Sequence, residues 1–316
     1  MTRHTISYPS SDNRTAIHAV CWMPEGQPRA VIQIAHGMME YIERYERFAE
    51  YMTGMGFLVA GHDHLGHGAS VTAPENWGYF AERHGDGCLL RDMHRLRRIV
   101  QQDHPGIPYF MLGHSMGSYL LRAYIVRFGE GLAGAILVGT GYVPDHVAKV
   151  GLKMTETLAQ THGWRHRSRL TERLFFFGPF SRFDMTGERP DRSWLTKDKD
   201  IVRDFYGDER CTFKFTLNAY DNFLRIILYG NRPENLAQIP KRLPVLLASG
   251  TDDPVGNFGK GVRAVGSRLL GAGLDDVTVK LYEGDRHELL NELDRERVYD
   301  YLAAWCEARM PSESPA

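Results

Sequence analysis

The sequence predicts an α/β fold with a mostly parallel central sheet, flanking helices and a helical insertion. Short runs of β-branched and apolar residues alternate with segments of helical spacing along most of the chain. That alternation is typical of parallel strands that are joined by helices and buried on both faces. It is interrupted between residues 142 and 236, where helical fragments occur without a convincing buried strand. At 316 residues, the chain is long enough for one large domain that carries such an insertion.

The individual elements follow from these runs. The predicted strands cover residues 5–8, 15–22, 31–35, 57–60, 109–112, 135–138, 245–248 and 277–281. The predicted helices cover about 45–55, about 88–102, the segment after residue 115 and about 292–309. The buried face of the last helix is expected to carry Leu293, Val298, Tyr301, Leu302 and Trp305. We therefore expect a core of residues 1–141 and 237–316, with residues 142–236 as a helical cap inserted after the sixth strand.

Composition and charge exclude several classes of function. A formal net charge of −1 leaves no basic field for a phosphate backbone, so no nucleic-acid partner is expected. The N-terminus has no apolar stretch of signal-peptide length, and no run approaches the ~20 apolar residues that cross a bilayer. The four cysteines are scattered without CxxC spacing, as in a reduced cytosolic protein. We expect a cytoplasmic protein, with peripheral contact at the inner membrane left open, and the sequence does not determine its oligomeric state.

The most informative motif is Gly113-His114-Ser115-Met116-Gly117. It directly follows an apolar strand pattern and directly precedes a helical one, which predicts a sharp strand-to-helix turn with Ser115 at its apex. Side chains at Gly113 and Gly117 would collide with neighbouring backbone in such a turn. A G-x-S-x-G motif in this context is typical of the nucleophile turn of α/β-hydrolases. We therefore predict that Ser115 is a catalytic nucleophile.

A serine nucleophile needs a base and an acid that orients the base. In this fold the chain order is nucleophile, acid, histidine, and catalytic groups gather at the carboxyl ends of the strands. Of the fourteen histidines, His287 is the one that follows the last predicted strand. Asp252 and Asp253 compete for the acid position after strand 245–248. We favour Asp253, and Asp252 is interpreted as a turn residue.

The oxyanion of the reaction needs two donors. One predicted donor is the backbone N–H of Met116, at the start of the helix. The other is expected in the loop after strand 31–35, and we assign it to the N–H of Met38.

The loop His62-Asp63-His64-Leu65-Gly66-His67-Gly68-Ala69-Ser70 contains potential metal ligands in His62, Asp63, His64 and His67. No second ligand pair at matching spacing accompanies it, so we predict no metal and interpret the loop as a brace for the nucleophile turn.

A second ambiguous segment is Leu174–Phe180, the most apolar part of the predicted cap. Its phenylalanines either pack the cap onto the core, line an acyl channel or touch a lipid surface.

Taken together, the motifs resemble those of the monoacylglycerol lipase and lysophospholipase group of α/β-hydrolases. The resemblance rests on motifs that occur in the expected order: His36-Gly37-Met38-Met39-Glu40 with Arg44-Tyr45, Asp63-x-x-Gly66-His67-Gly68-x-Ser70, Gly113–Gly117, Gly250-x-x-Asp253 and Arg286-His287-Glu288. It implies the α/β-hydrolase fold, a Ser115–Asp253–His287 triad, an oxyanion hole at Met38 and Met116, and a helical cap. It also implies lipid esters of long-chain acids as substrates and no cofactor. The cap itself does not match this pattern residue by residue.

Several rival activities remain open at the level of sequence. A short-chain carboxylesterase, a thioesterase, a peptidase and a perhydrolase can all use such a triad, since the fold does not fix the substrate. A dehalogenase or epoxide hydrolase is disfavoured because position 115 is a serine and not a carboxylate. A rival of another class is a binding protein that keeps the fold without turnover.

Overall fold

The computed structural model describes residues 1–311. The strands are β1 Thr2–Pro9, β2 Ala16–Met23, β3 Ala30–Ala35, β4 Phe57–His62, β5 Tyr109–His114, β6 Gly134–Val138, β7 Val245–Gly250 and β8 Val277–Tyr282. The α-helices are α1 Glu46–Gly54, α2 Gly85–Asp103, α3 Met116–Phe128, α4 Asp145–His162, α5 Arg169–Phe175, α6 Lys199–Gly207, α7 Glu209–Thr212, α8 Leu217–Asn231, α9 Pro233–Leu236, α10 Lys260–Gly271 and α11 Arg295–Glu307.

The strands form one sheet in the order β1-β2-β4-β3-β5-β6-β7-β8. The pairs from β4 to β8 are parallel, whereas β2 pairs antiparallel with both β1 and β4. Strands β3 to β7 are buried along their whole length, as expected for parallel strands that are covered by helices on both faces. The predicted mostly parallel α/β sheet is therefore confirmed. Its carboxyl ends bring the loops after β3, β5, β7 and β8 to one edge.

Two apolar layers cover the sheet. One layer contains the buried faces of α2, α3 and α10, and the other contains those of α1 and α11. The last helix differs from its prediction, because the chain forms a 3-10 turn at Leu289–Asn291 before α11 begins at Arg295. Leu293 therefore precedes the helix and is 65% exposed, and Tyr301 is only half-buried. The face that does pack contains Val298, Tyr299, Leu302, Ala303, Trp305 and Cys306.

Between β6 and β7 the chain runs through α4 to α9, with 3-10 turns at Pro179–Arg182 and Pro190–Arg192 and an isolated bridge between Asp184 and Ser193. Helix α8 is buried along most of its length and packs against α3 and α4. Within residues 1–311, none of the helices has the length and apolar character needed to span a membrane. All four cysteines are unpaired thiols.

Candidate active site

The turn between β5 and α3 holds Ser115 in an unusual backbone conformation. Its φ is 51° and its ψ is −119°, a region that costs energy for a residue with a side chain and is found mainly at functional sites. Its N–H donates to the carbonyl of Val138 at the end of β6, at 2.9 Å. The glycines on either side are required sterically, because a Cβ at Gly117 would overlap the carbonyl oxygen of Ala35 and one at Gly113 would overlap that of Gly117.

The loop after β7 brings Asp253 to His287, which follows β8. Nδ1 of His287 lies 3.0 Å from Oδ1 of Asp253, and both residues are fully buried. The other Asp253 oxygen accepts a hydrogen bond from the Ser249 hydroxyl at 2.8 Å. Burial alone would raise the pKa of Asp253, but His287 and these hydrogen bonds lower it, so the carboxyl is an anion. Asp252, in contrast, is exposed.

Ser115 and His287 line the same cavity but are not joined by a hydrogen bond. Within the described chain, Nε2 of His287 is buried and has no hydrogen-bond partner. Catalytic hydrogen bonds are often long before substrate binds and tighten in the complex. The arrangement is thus an orienting carboxylate, an imidazole with a free nitrogen, and a serine in one pocket.

The two predicted oxyanion donors line this cavity as well. Met116 is the first residue of α3, so its N–H has no acceptor within the helix. Met38 lies in the loop after β3, and the next residue, Met39, has a φ of 58°, which marks a tight reversal of the chain. The Gly37 N–H in this loop donates to the side chain of Glu40.

The cavity has a volume of about 140 Å³ and a strongly apolar lining. Its walls include Met38, Tyr119, Val143, Phe175, Phe176, Phe180, Trp194, Leu195, Phe205, Phe223, Ile227 and Val255. The apolar segment Leu174–Phe180 occupies two environments. Phe175, Phe176 and Phe180 line the cavity, whereas Leu174 and Phe177 are 53% and 78% exposed. Its phenylalanines thus serve both as cavity wall and as surface.

A buried ionic cluster connects three segments of the site. Glu40, in the loop after β3, accepts hydrogen bonds from Nδ1 of His114 at 2.8 Å, from the Tyr45 hydroxyl at 2.9 Å and from Arg44 at 2.9 Å. Arg44 also forms a bidentate pair with Glu288, with both distances 2.9 Å. Since His114 precedes Ser115 and Glu288 follows His287, this cluster fixes the nucleophile turn and the histidine loop to each other.

The charges within this cluster support one another. Burial by itself would raise the pKa of Glu40, but His114 and Arg44 lower it. Burial would lower the pKa of His114, but the Glu40 carboxylate raises it. The pKa of Glu288 is likewise lowered by Arg44 against the effect of burial. Buried charges require such pairing, and removal of one partner is costly.

The loop of residues 62–70, called here the histidine-rich loop, packs against the loop after β3 that carries Met38. The His64 N–H donates to Nε2 of His36 at 3.0 Å, and the ring centroids of these two residues lie 4.2 Å apart. Nδ1 of His36 in turn contacts the Gly37 carbonyl at 2.8 Å. The histidine-rich loop therefore braces the loop after β3, and its predicted support of the Ser115 turn stays a prediction. In residues 1–311 no group of three or more His, Cys, Asp or Glu side chains is arranged to hold a metal.

Two features of the site were not predicted from the sequence. The ionic cluster has a sequence signal, since Glu40 and Arg44 are four residues apart and both fall within a recognised motif. Trp194 has no such signal, because it lies in an irregular stretch between two short helical elements of the segment that joins β6 and β7 and is brought to the cavity only by long-range packing.

Comparison with known proteins identifies the family. The family model described as "Serine aminopeptidase, S33" matches residues 26–294. The chain therefore belongs to this family of α/β-hydrolases.

Individual relatives refine the class. The chain is 27% identical over 287 residues to a monoacylglycerol lipase of Mycolicibacterium smegmatis, covering 90% of each chain. It is also 27% identical to the monoglyceride lipase of Homo sapiens, covering 93% of this chain and 88% of the relative. A solved carboxyl esterase from Bacillus coagulans, in complex with glycerol, superposes with a TM-score of 0.88 at 31% identity, over 98% of this chain and 99% of that one. The predicted fold, the predicted resemblance and the predicted class of serine carboxylic ester hydrolase are confirmed.

Proposed function

We propose that the protein hydrolyses esters of long-chain acids, of the monoacylglycerol or lysophospholipid type, through an acyl-enzyme on Ser115. The observation that supports this most is that Ser115, His287 and the two residues that carry the proposed oxyanion donors, Met38 and Met116, line one apolar cavity. The hydrogen bond between Asp253 and His287 adds the orienting acid that such a base requires.

The proposed reaction has two steps, formation of the acyl-enzyme and its hydrolysis. His287 Nε2 takes the proton of the Ser115 hydroxyl as its oxygen attacks the ester carbonyl, and the N–H groups of Met38 and Met116 bind the tetrahedral oxyanion. His287 then protonates the leaving alcohol, and water attacks the acyl-enzyme by the same route. Asp253 stabilises the imidazolium and keeps its own charge. Each oxyanion donor in such a site contributes roughly 3–4 kcal/mol.

The composition of the cavity supports a lipid ester as substrate. An acyl chain is bound by apolar surface, and aromatic and aliphatic side chains dominate this lining. The two carboxylates that also line it are already occupied. Glu40 accepts from Gly37, Tyr45, Arg44 and His114, and Glu288 accepts from Arg44 and Asn291. Neither is left to bind the amino group of a peptide, which favours an ester over an aminopeptidase substrate in spite of the family's description.

The experiment is a series of p-nitrophenyl esters of increasing chain length, together with monoacylglycerol and lysophospholipid. We expect kcat/KM to increase with chain length, and Ser115→Ala to abolish turnover while the circular dichroism spectrum stays native. A preference for acetate over long chains would favour the short-chain esterase or thioesterase alternative, and full activity of Ser115→Ala would disprove the assignment. The two adjacent aspartates provide a matched pair, since Asp253→Asn should lose most activity and Asp252→Asn should retain it.

We also propose that residues 142–236 act as a cap that touches lipid surfaces transiently. Val150 in α4, Leu170 and Leu174 in α5, and Phe177 just after α5 are between 53% and 78% exposed, and exposed apolar side chains grouped on neighbouring elements are typical of interaction surfaces. Phe177→Ser should reduce co-flotation with phosphatidylcholine vesicles without changing hydrolysis of a water-soluble ester. Unchanged flotation would contradict this role.

A further inference from the structure

One stretch of the cap segment, residues 191–197, is bonded to the loop that carries His287. We call these residues the strap. The guanidinium of Arg286 donates to the strap carbonyls of Ser193 at 2.6 Å, Thr196 at 3.2 Å and Asp191 at 3.0 Å. The backbone continues the contact, because the N–H of Glu288 donates to the carbonyl of Leu195 at 2.7 Å.

A buried carboxylate, that of Glu292, also joins the strap to the loop that carries His287. Glu292 is fully buried and accepts from the Arg286 N–H at 2.8 Å with one oxygen. With its other oxygen it accepts from the Thr196 hydroxyl at 3.1 Å and the Lys197 N–H at 3.0 Å. The strap is thus held by both side chain and backbone to residues directly before and after His287. We therefore expect the strap to move together with the loop that carries His287.

The strap places Trp194 against the imidazole. The ring centroids of Trp194 and His287 lie 4.9 Å apart with an angle of 31° between the planes. The indole is itself fixed, since it packs against Phe180 at 5.3 Å and is only 7% exposed. The ring of His114 also contacts the imidazole, at 4.8 Å.

We propose that Trp194 is a positioning residue for the base, a role that rests on the proposed function of His287. The Trp194 ring restricts rotation of the imidazole, so that Nδ1 stays on Asp253 and Nε2 faces the cavity. The hydrogen bond to Asp253 alone leaves the ring free to tilt about its axis, and a flat aromatic neighbour removes that freedom. Small losses of geometry at a general base reduce the chemical step more than substrate binding.

The test compares Trp194→Leu with Trp194→Phe. Leucine keeps an apolar side chain but has no planar face, whereas phenylalanine keeps the face. With p-nitrophenyl butyrate, we expect Trp194→Leu to lower kcat roughly tenfold to a hundredfold, with KM changed by less than about threefold. Trp194→Phe should recover most of that loss. Trp164→Leu, at a cap tryptophan that is 41% exposed, is the matched control and should behave as the native enzyme.

A spectroscopic readout separates positioning from general loosening. The proton that His287 Nδ1 shares with Asp253 should give a low-field NMR resonance, assigned by its loss in His287→Gln. We expect this signal to broaden in Trp194→Leu and to remain sharp in Trp194→Phe. A native kcat for Trp194→Leu, an equal loss in the Leu and Phe variants, or an effect on KM alone would overturn the role of Trp194. The proposed function fails separately, if Ser115→Ala remains active.

Discussion

Substitution of one buried histidine should change how strongly acid destabilises the protein. His67 is fully buried, and Nε2 of its ring has no hydrogen-bond partner in the described chain. Its ring lies among Phe80, Phe213 and Phe215, with ring centroids between 5.3 and 6.0 Å away. The rings of His36 and His64 also contact it, at 5.1 and 6.3 Å. Burial lowers the pKa of His67 from its ordinary 6.5 to about 4, although a hydrogen bond with the Leu65 carbonyl acts in the opposite direction.

The size of the effect follows from linkage. Because the folded-state pKa is depressed, the unfolded chain binds a proton at His67 first as the pH falls. The stability associated with the neutral ring is therefore complete above pH 6.5 and is lost between pH 6.5 and about 4. One pKa unit corresponds to about 1.4 kcal/mol, so His67 removes about 2 kcal/mol of stability by pH 5 and roughly 3 kcal/mol below pH 4.

Replacement by phenylalanine should abolish this contribution, since a benzene ring does not titrate. His67→Phe also loses the hydrogen bond to Leu65, but that loss is the same at every pH. We expect the native protein and the variant to differ by a constant free energy of unfolding above pH 7, and the difference to shift by about 2 kcal/mol in favour of the variant at pH 5. Urea denaturation followed by tryptophan fluorescence at pH 8, 7, 6 and 5 measures it. Parallel stability curves for the two proteins would refute the assignment of a neutral, buried His67.

Two further predictions concern the frame around Ser115. Gly117→Ala should destabilise the protein by several kcal/mol or prevent native folding, because the added methyl group overlaps the carbonyl oxygen of Ala35. Gly271→Ala, near the end of α10 with open space around it, should change the melting temperature little or raise it, and equal melting temperatures for the two variants would contradict the steric reason. Glu40→Gln removes one charge from the buried cluster and leaves Arg44 partly unpaired, so we expect a loss of about 3–5 kcal/mol in urea unfolding. A loss below about 1 kcal/mol would mean that the cluster adds little to stability.

The fold was predictable because its signals are local. Each central strand is built mainly of apolar residues, as at 245–248 in β7, and such runs between helical patterns are typical of parallel strands. The nucleophile turn was predictable because the tight turn requires glycine at both Gly113 and Gly117, and these two positions lie within a single five-residue motif. The start of α11 was not, since a 3-10 turn at Leu289–Asn291 changes the helical phase without a distinctive residue pattern.

The site was predictable only where residues follow strands. Ser115, Asp253 and His287 each lie after a strand, so the topology alone brings them to the same edge of the sheet. Trp194 and Glu292 do not have this relation to the sheet. Their contacts depend on how the strap folds back onto the histidine loop, and this long-range packing leaves no periodic signal in the sequence.

The most direct test of the central claim is covalent trapping at Ser115. The native enzyme, incubated with a long-chain fluorophosphonate, should gain one adduct by intact-protein mass spectrometry, and peptide mapping should place it on Ser115. His287→Gln should react far more slowly while remaining folded, because the serine has lost its base. An adduct on another residue, or labelling of His287→Gln at the native rate, would contradict the account.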